Sequence, residues 1–122
     1  MALDAEFMIW FEDLFSVVPD AKIKRMFGGA GVFRHSLMFA LATSEGKLSL
    51  KADNKTIPDF IAEGCSEWEH RSKNGKIKTM GYWYMPKRLS EDSDELLAWS
   101  MKAFDIAVRA NNRKPPAQRK LK

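Results

Sequence analysis

Cysteine is almost missing from this 122-residue chain, where Cys65 stands alone. A single thiol excludes an intramolecular disulfide and any multi-cysteine zinc site, so a reducing compartment is expected and the cytoplasm is its natural form. Histidine is nearly as scarce. His35 falls in a predicted turn and His70 in a predicted strand beside Glu69 and Arg71, and neither has a second ligand at HxxxH or HxH spacing. Metal sites and triads are constellations, so ordinary surface or strand roles are expected for both. The apolar run Phe7–Phe11 stops at Glu12-Asp13, and Met1–Ala5 carries Asp4 with no basic residue, so neither a membrane span nor a signal peptide is expected.

Acidic residues are absent from Ile106 onward, where six basic ones gather: Arg109, Arg113, Lys114, Arg119, Lys120 and Lys122. The chain has a net charge of +4, but its other 105 residues hold 14 Lys and Arg against 16 Asp and Glu. The basic pI therefore describes a tail. Residues 1–110 are expected to form one domain and 111–122 a basic, disordered tail. Arg109, Arg113, Lys114, Arg119 and Lys120 are candidate contacts to nucleic acid or to an acidic partner, since phosphate contacts are electrostatic and independent of sequence. A solvated terminus is the simpler reading.

What is present is patterned for an α+β domain. Leu3, Phe7, Trp10, Phe11, Leu14, Phe15 and Val18 recur at helical spacing from Leu3 to Val18, with Asp4 as a cap and Pro19 as a stop. Met8 and Ile9 widen the apolar face, so burial on more than one side or sharing with a second subunit is expected. Short strands are predicted over Lys22–Phe27, Gly31–Arg34, Leu37–Thr43 and Lys47–Ala52 as an antiparallel meander. A short helix follows, carrying Ile57, Phe60 and Ile61, with Asp53 and Thr56 as caps and Gly64 as its end. Glu67–Arg71 and Lys76–Met85 flank Asn74-Gly75, the pair that suits a type I′ turn; counting outward sets Trp68 opposite Gly81 and Glu69 diagonal to Lys78. A last helix runs from Ser90 to about Arg109, acidic at its start. The predicted fold has two layers: an antiparallel sheet of about five strands with the helices on one face.

The densest local signal is the glycine cluster Gly28-Gly29-Ala30-Gly31. No Gly-Lys-Ser/Thr follows it, and Arg34 stands where a dinucleotide fingerprint needs Gly or Ala, so a phosphate cradle is disfavoured against a hairpin pivot at Gly28-Gly29. Cys65 sits at a helix end, where the dipole raises a thiol pKa, and reads as structural. Glu67 and Glu69 share a strand face with Lys and Arg around them, which favours a charge ladder over an acid–base pair. Trp68, Tyr82, Trp83 and Tyr84 lie in a basic hairpin and suggest base stacking, but Met80–Met85 is apolar on both faces and suits a central strand better. No catalytic, cofactor-binding or metal-binding residue is named.

Five ordered blocks resemble the N-terminal domain of the TfoX/Sxy family of competence regulators: Arg25-Met26-Phe27-Gly28-Gly29-Ala30-Gly31-Val32-Phe33, Met38–Leu41, Leu50–Asp53, Thr79–Trp83 and Asp94–Trp99. The resemblance covers most of Leu3–Val108. It implies a bacterial cytoplasmic protein built as helix, three-strand meander, helix, two strands, helix. Arg25, Met26, Phe27, Gly28, Gly29 and Gly31 are then family motif and turn residues. Named members are linked to transcriptional activation of DNA-uptake genes alongside a cyclic-AMP-responsive activator, and carry a second, helical domain that Lys114–Lys122 is too short to supply. The expected function is non-enzymatic regulation by protein–protein contact, with a homodimer and the transcription machinery as partners, no cofactor and no membrane. The alternative is nucleic-acid binding through the basic tail and the Lys73–Lys78 hairpin.

Overall fold

Alternation and turn chemistry build a sheet from the middle of the chain, and the helical repeats at either end supply its cover. The computed structural model describes residues 3–26, 28–71 and 77–114, with backbone alone for 70–71 and 77–80. Helix α1 (Ala5–Phe15) precedes strands β1 (Ala21–Met26), β2 (Gly29–Arg34), β3 (Leu37–Ala42) and β4 (Leu48–Lys51). Helix α2 (Ile57–Ala62), strands β5 (Glu67–Arg71) and β6 (Ile77–Tyr84) and helix α3 (Ser93–Asn112) complete the order. All neighbours are antiparallel, in the order β1-β2-β3-β4-β6-β5, so β6 returns between β4 and β5. The fold is α+β, as expected. The sheet has six strands rather than about five, because the meander has four where the resemblance implied three.

The caps are local and chemical. Asp4 Oδ1 accepts the Phe7 N–H at 2.8 Å to open α1. Asp53 Oδ1 accepts the N–H groups of Lys55 and Thr56, while Thr56 Oγ1 accepts the Asp53 N–H at 3.0 Å, which turns the chain into α2. Gly64, at φ 79°, ends that segment. The last helix begins later than expected: Lys87–Glu91 forms a 3₁₀ turn, and Asp92 caps α3 by accepting the Glu95 N–H at 3.1 Å. At its other end α3 continues to Asn112, past the expected domain boundary at 110.

Antiparallel partners project to the same side of a sheet, so the register sorts its faces. One row, Ile23–Val32–Ala40–Leu50–Trp83, crosses five strands, and Ala30–Ala42–Leu48 lies beside it. These residues belong to the hydrophobic core or pack on it, together with Phe11 and Phe15 of α1, Phe60 of α2 and Leu96, Ala103, Phe104 and Ala107 of α3. The three helices thus share one face, as the sequence predicted. Val32 pairs with Ala40 but Phe33 with Met38, so Phe39 is the extra residue of a bulge. Its buried ring takes Phe15 and Phe104 edge-on, each at 6.3 Å between centroids.

One expected turn and one expected register are corrected. Met26 pairs with Gly29, so the β1–β2 reversal falls between them, with Gly28 at φ 79° and Phe27 outside the described residues. Gly29 is the first residue of β2, where a Cβ would overlap the Ala42 carbonyl oxygen on β3. The β5–β6 register also departs from the count. Arg71 pairs with Ile77, His70 with Lys78 and Glu69 with Thr79, whereas Glu67 pairs with Trp83. The added length on β6 contains Gly81, at φ 76°, whose carbonyl accepts the Ala52 N–H at 2.8 Å. Trp68 falls between the Glu67 and Glu69 pairs, opposite the stretch of β6 that contains Gly81, and Glu69 is opposite Thr79 rather than diagonal to Lys78; the Asn74-Gly75 turn lies outside the described residues.

Two stability predictions follow from these positions. Gly29→Ala must move backbone on two strands, so urea denaturation should show a loss of about 2–4 kcal/mol. An unchanged midpoint would contradict the close approach. Ser100 is fully buried on α3 and its Oγ has no hydrogen-bond partner among the described residues; Ser100→Ala should therefore stabilise the protein by about 1 kcal/mol, through helix propensity and removal of an unsatisfied hydroxyl.

Candidate functional site

The sheet face opposite the helices carries its own row, Lys24–Gly31–Leu41–Ser49–Tyr84, with Lys22–Phe33–Met38 and Lys51–Tyr82 beside it. None of these side chains joins the helix-side core. Because Gly31 has no side chain, Met26, Phe33 and Met38 close over it; a Cβ there would stand 2.7 Å from Met38 Sδ and 2.9 Å from Phe33 Cε1. Tyr82 lies across neighbouring strands, its hydroxyl donating to the Met38 carbonyl at 3.1 Å, and burial pushes its phenol well above the usual range. Leu41 and Ser49 are buried beneath this layer, and Ser49 Oγ has no hydrogen-bond partner.

Charge on this surface is mostly of one sign. Strands β1 to β4 contain no acidic residue, and Lys22, Lys24 and Lys51 lie on this face, whereas Arg25 and Arg34 belong to the helix side. Lys22, Lys24 and Lys47 are exposed. Lys47 Nζ stands 5.7 Å from the Tyr84 ring centre and Lys51 Nζ 5.0 Å from that of Tyr82, within cation–π range. Burial, and then the charge of Lys114, hold the Lys51 ammonium below the usual lysine range. At the β1–β2 end, Asp20, Lys22, Lys24, Phe33, His35 and Ser36 line an open depression of about 470 Å³. Asp20, His35 and Ser36 take positive φ of 62°, 49° and 68°, a backbone that costs roughly 1–2 kcal/mol per non-glycine residue. His35 Nε2 lies 3.4 Å from Asp20 Oδ2, an exposed contact at the rim.

A second surface faces the other way. On α1, Ile9 is 68% and Trp10 44% exposed, with the Phe7 ring 5.4 Å from that of Trp10. Glu6, Glu12 and Asp13 are exposed around them. Ile61 of α2, 59% exposed, stands singly. The wide apolar face read in the sequence is therefore buried on its Phe11 and Phe15 side and bare on its Ile9 and Trp10 side.

The motif residues serve the fold. Arg25 Nη1 donates to the Leu3 carbonyl at 2.8 Å and ties the chain before α1 to β1, Met26 helps to close over Gly31, and Gly28, Gly29 and Gly31 supply a turn and two close approaches. Of the basic candidates, Arg109 pairs with Asp53, Nη2 to Oδ2 at 2.9 Å, which fastens α3 to the loop before α2. Burial tends to raise the Asp53 pKa, but the Arg109 bond and the Lys55 and Thr56 N–H groups outweigh it and hold the carboxyl below its usual value. Arg113 and Lys114 are exposed, and Arg119 and Lys120 lie outside the described residues. Lys22 and Lys24 were not named as candidate contacts in the sequence, although Lys22-Ile23-Lys24 alternates as a half-wet strand must, and Phe33 was named only as the end of the family-like block.

Among the described residues no group of His, Cys, Asp or Glu is arranged to hold a metal ion, and no helix is long and apolar enough to cross a membrane. The class defined is an α+β domain with two contrasting open surfaces. The TfoX N-terminal domain family matches residues 13–107, and the chain belongs to that family, one of regulatory proteins. No curated protein matches it.

Cys65 is half-buried after α2, and burial, then the Glu63 carboxylate, push its thiol up. Iodoacetamide at about pH 8 should therefore label it at least several-fold more slowly than a cysteine in a short peptide. A rate equal to the peptide's would show an accessible thiol of ordinary pKa, and a faster one an activated thiolate.

Proposed function

We propose that this TfoX-type regulator acts without catalysis, by docking a protein partner on the outer surface of α1. The supporting observation is the bare Ile9 and Trp10 pair, backed by Phe7 and edged by Glu6, Glu12 and Asp13. Exposed tryptophan beside an aliphatic residue is the composition of an interface centre, and the charged rim excludes water around it and selects the partner. The rim is acidic, so the complementary surface is basic. Self-association of α1 on α1 sets these carboxylates against one another, which weakens the homodimer reading in favour of a distinct partner. The family's transcription-linked role is consistent with such a partner, since basic surfaces are common on proteins that work on DNA.

The test is a photo-crosslinking residue placed at position 9, with position 102 on exposed α3 surface as control. Position 9 should yield a discrete adduct that position 102 does not, and Trp10→Glu should remove at least about 90% of it, as expected for the loss of a hot spot worth more than 1 kcal/mol. Equal labelling at both positions, or an adduct indifferent to Trp10→Glu, overturns the reading. Sedimentation of the unmodified chain should show no dimer at low salt; a dimer lost in Trp10→Glu would restore the homodimer.

A further inference from the structure

We propose that the helix-free face of the sheet binds single-stranded nucleic acid, with a base stacked on Phe33 in the open depression and phosphates held by Lys22, Lys24 and Lys51. This goes beyond the α1 reading and uses the other side of the sheet.

The chemistry fits from three directions. The surface is predominantly cationic: strands β1 to β4 carry no acidic residue, Lys22 and Lys24 stand exposed on the same face, and the Asp20 carboxylate on the wall of the depression is turned to His35 at 3.4 Å. A phosphate backbone supplies the missing counter-charge and releases condensed counterions when it does so. Lys51 sharpens the point. It is part-buried, its neighbour Lys114 is also cationic, and the Tyr82 ring is its cation–π partner, so an anion at Nζ relieves both repulsion and desolvation.

Rings are placed for bases. Phe33 is half-buried, held from beneath by Met38 and Met26 over Gly31, and it opens into a depression of about 470 Å³ with Lys22 and Lys24 on its wall. That volume lies within the usual range for small-ligand sites and holds a nucleobase with its sugar. Tyr84 is half-buried on the same face, three strand spacings across and two residues along from Phe33, about 16 Å, so more than one base can be accommodated across the face. Lys47 now stands over the Tyr84 ring; a base stacking there frees the ammonium for the adjoining phosphate. A duplex keeps its bases stacked inward and cannot use these rings, so single strands are preferred.

The test is fluorescence anisotropy of the full chain with short labelled oligothymidine and oligouridine at about 50 mM salt, against a duplex and an abasic oligomer of equal length. Binding to the single strands should exceed binding to both controls. The double variant Lys22→Glu, Lys24→Glu, at exposed positions, should lower affinity at least tenfold, while neutralising the same lysines as glutamines should reduce the salt slope by about 1.4, the value for two single-strand phosphate contacts. Phe33→Leu should weaken binding about tenfold with an unchanged melting curve. Trp10→Glu should leave binding unaltered, which separates this site from the α1 surface. The proposal is overturned if neither single strand binds, if duplex or abasic oligomer binds equally well, or if affinity is lost with Arg113, Arg119 and Lys120 changed to Glu but kept with Lys22 and Lys24 changed.

Discussion

Phe39 is fully enclosed, with Phe15 from α1 and Phe104 from α3 set edge-on against it at equal centroid distances. It is also the residue that β3 adds at its bulge with β2. Without that extra residue, strict alternation would carry one end of β3 out of phase with the helix-side core. With it, Leu37, Phe39, Ala40 and Ala42 all enter that core, while Met38 and Leu41 serve the other face. The two helices farthest apart in sequence thus meet through one ring on a middle strand. Aromatic edge-to-face contacts contribute about 0.5–1.5 kcal/mol beyond area, and here they also fix where both helices sit.

Much of this was legible because each signal was local. Asp4 and Asp53 act near the sequence positions that named them, Gly64 ends its helix, and alternation over Lys47–Lys51 marks a strand with two unlike faces. The start of α3 was misplaced because Ser90, Asp92, Ser93 and Asp94 are all cap residues, and the cap used, Asp92, follows a 3₁₀ turn that buries Leu89. Register failed where bulges intervene. Gly81 inside an apolar run is the sequence mark of such a bulge, but how much length it adds depends on the residue that follows β4, since the Ala52 N–H donates to its carbonyl.

The candidate surfaces were less readable for a different reason. The basic tail drew attention because its charge is contiguous, whereas Lys22, Lys24 and Lys51 are scattered in sequence and are gathered only by strand pairing. Arg109 shows the reverse case: it belongs to the basic run, yet its guanidinium is engaged by Asp53. The glycine cluster follows the same logic. Its service is to permit backbone and side-chain approach, and Gly31 makes the layer over β2 from which Phe33 is presented.

Strand β1 is an edge of the sheet, and its residues 22, 24 and 25 are basic and exposed. An open edge offers unpaired backbone groups to any other strand, and lysine is a common natural deterrent. If two copies met edge to edge in the register centred on Ile23, Lys22 of each would confront Lys24 of the other. The same charges that favour an anionic ligand thus oppose a closed, edge-to-edge pair of two copies, and high salt or a bound polyanion that neutralises them removes a barrier to that pairing.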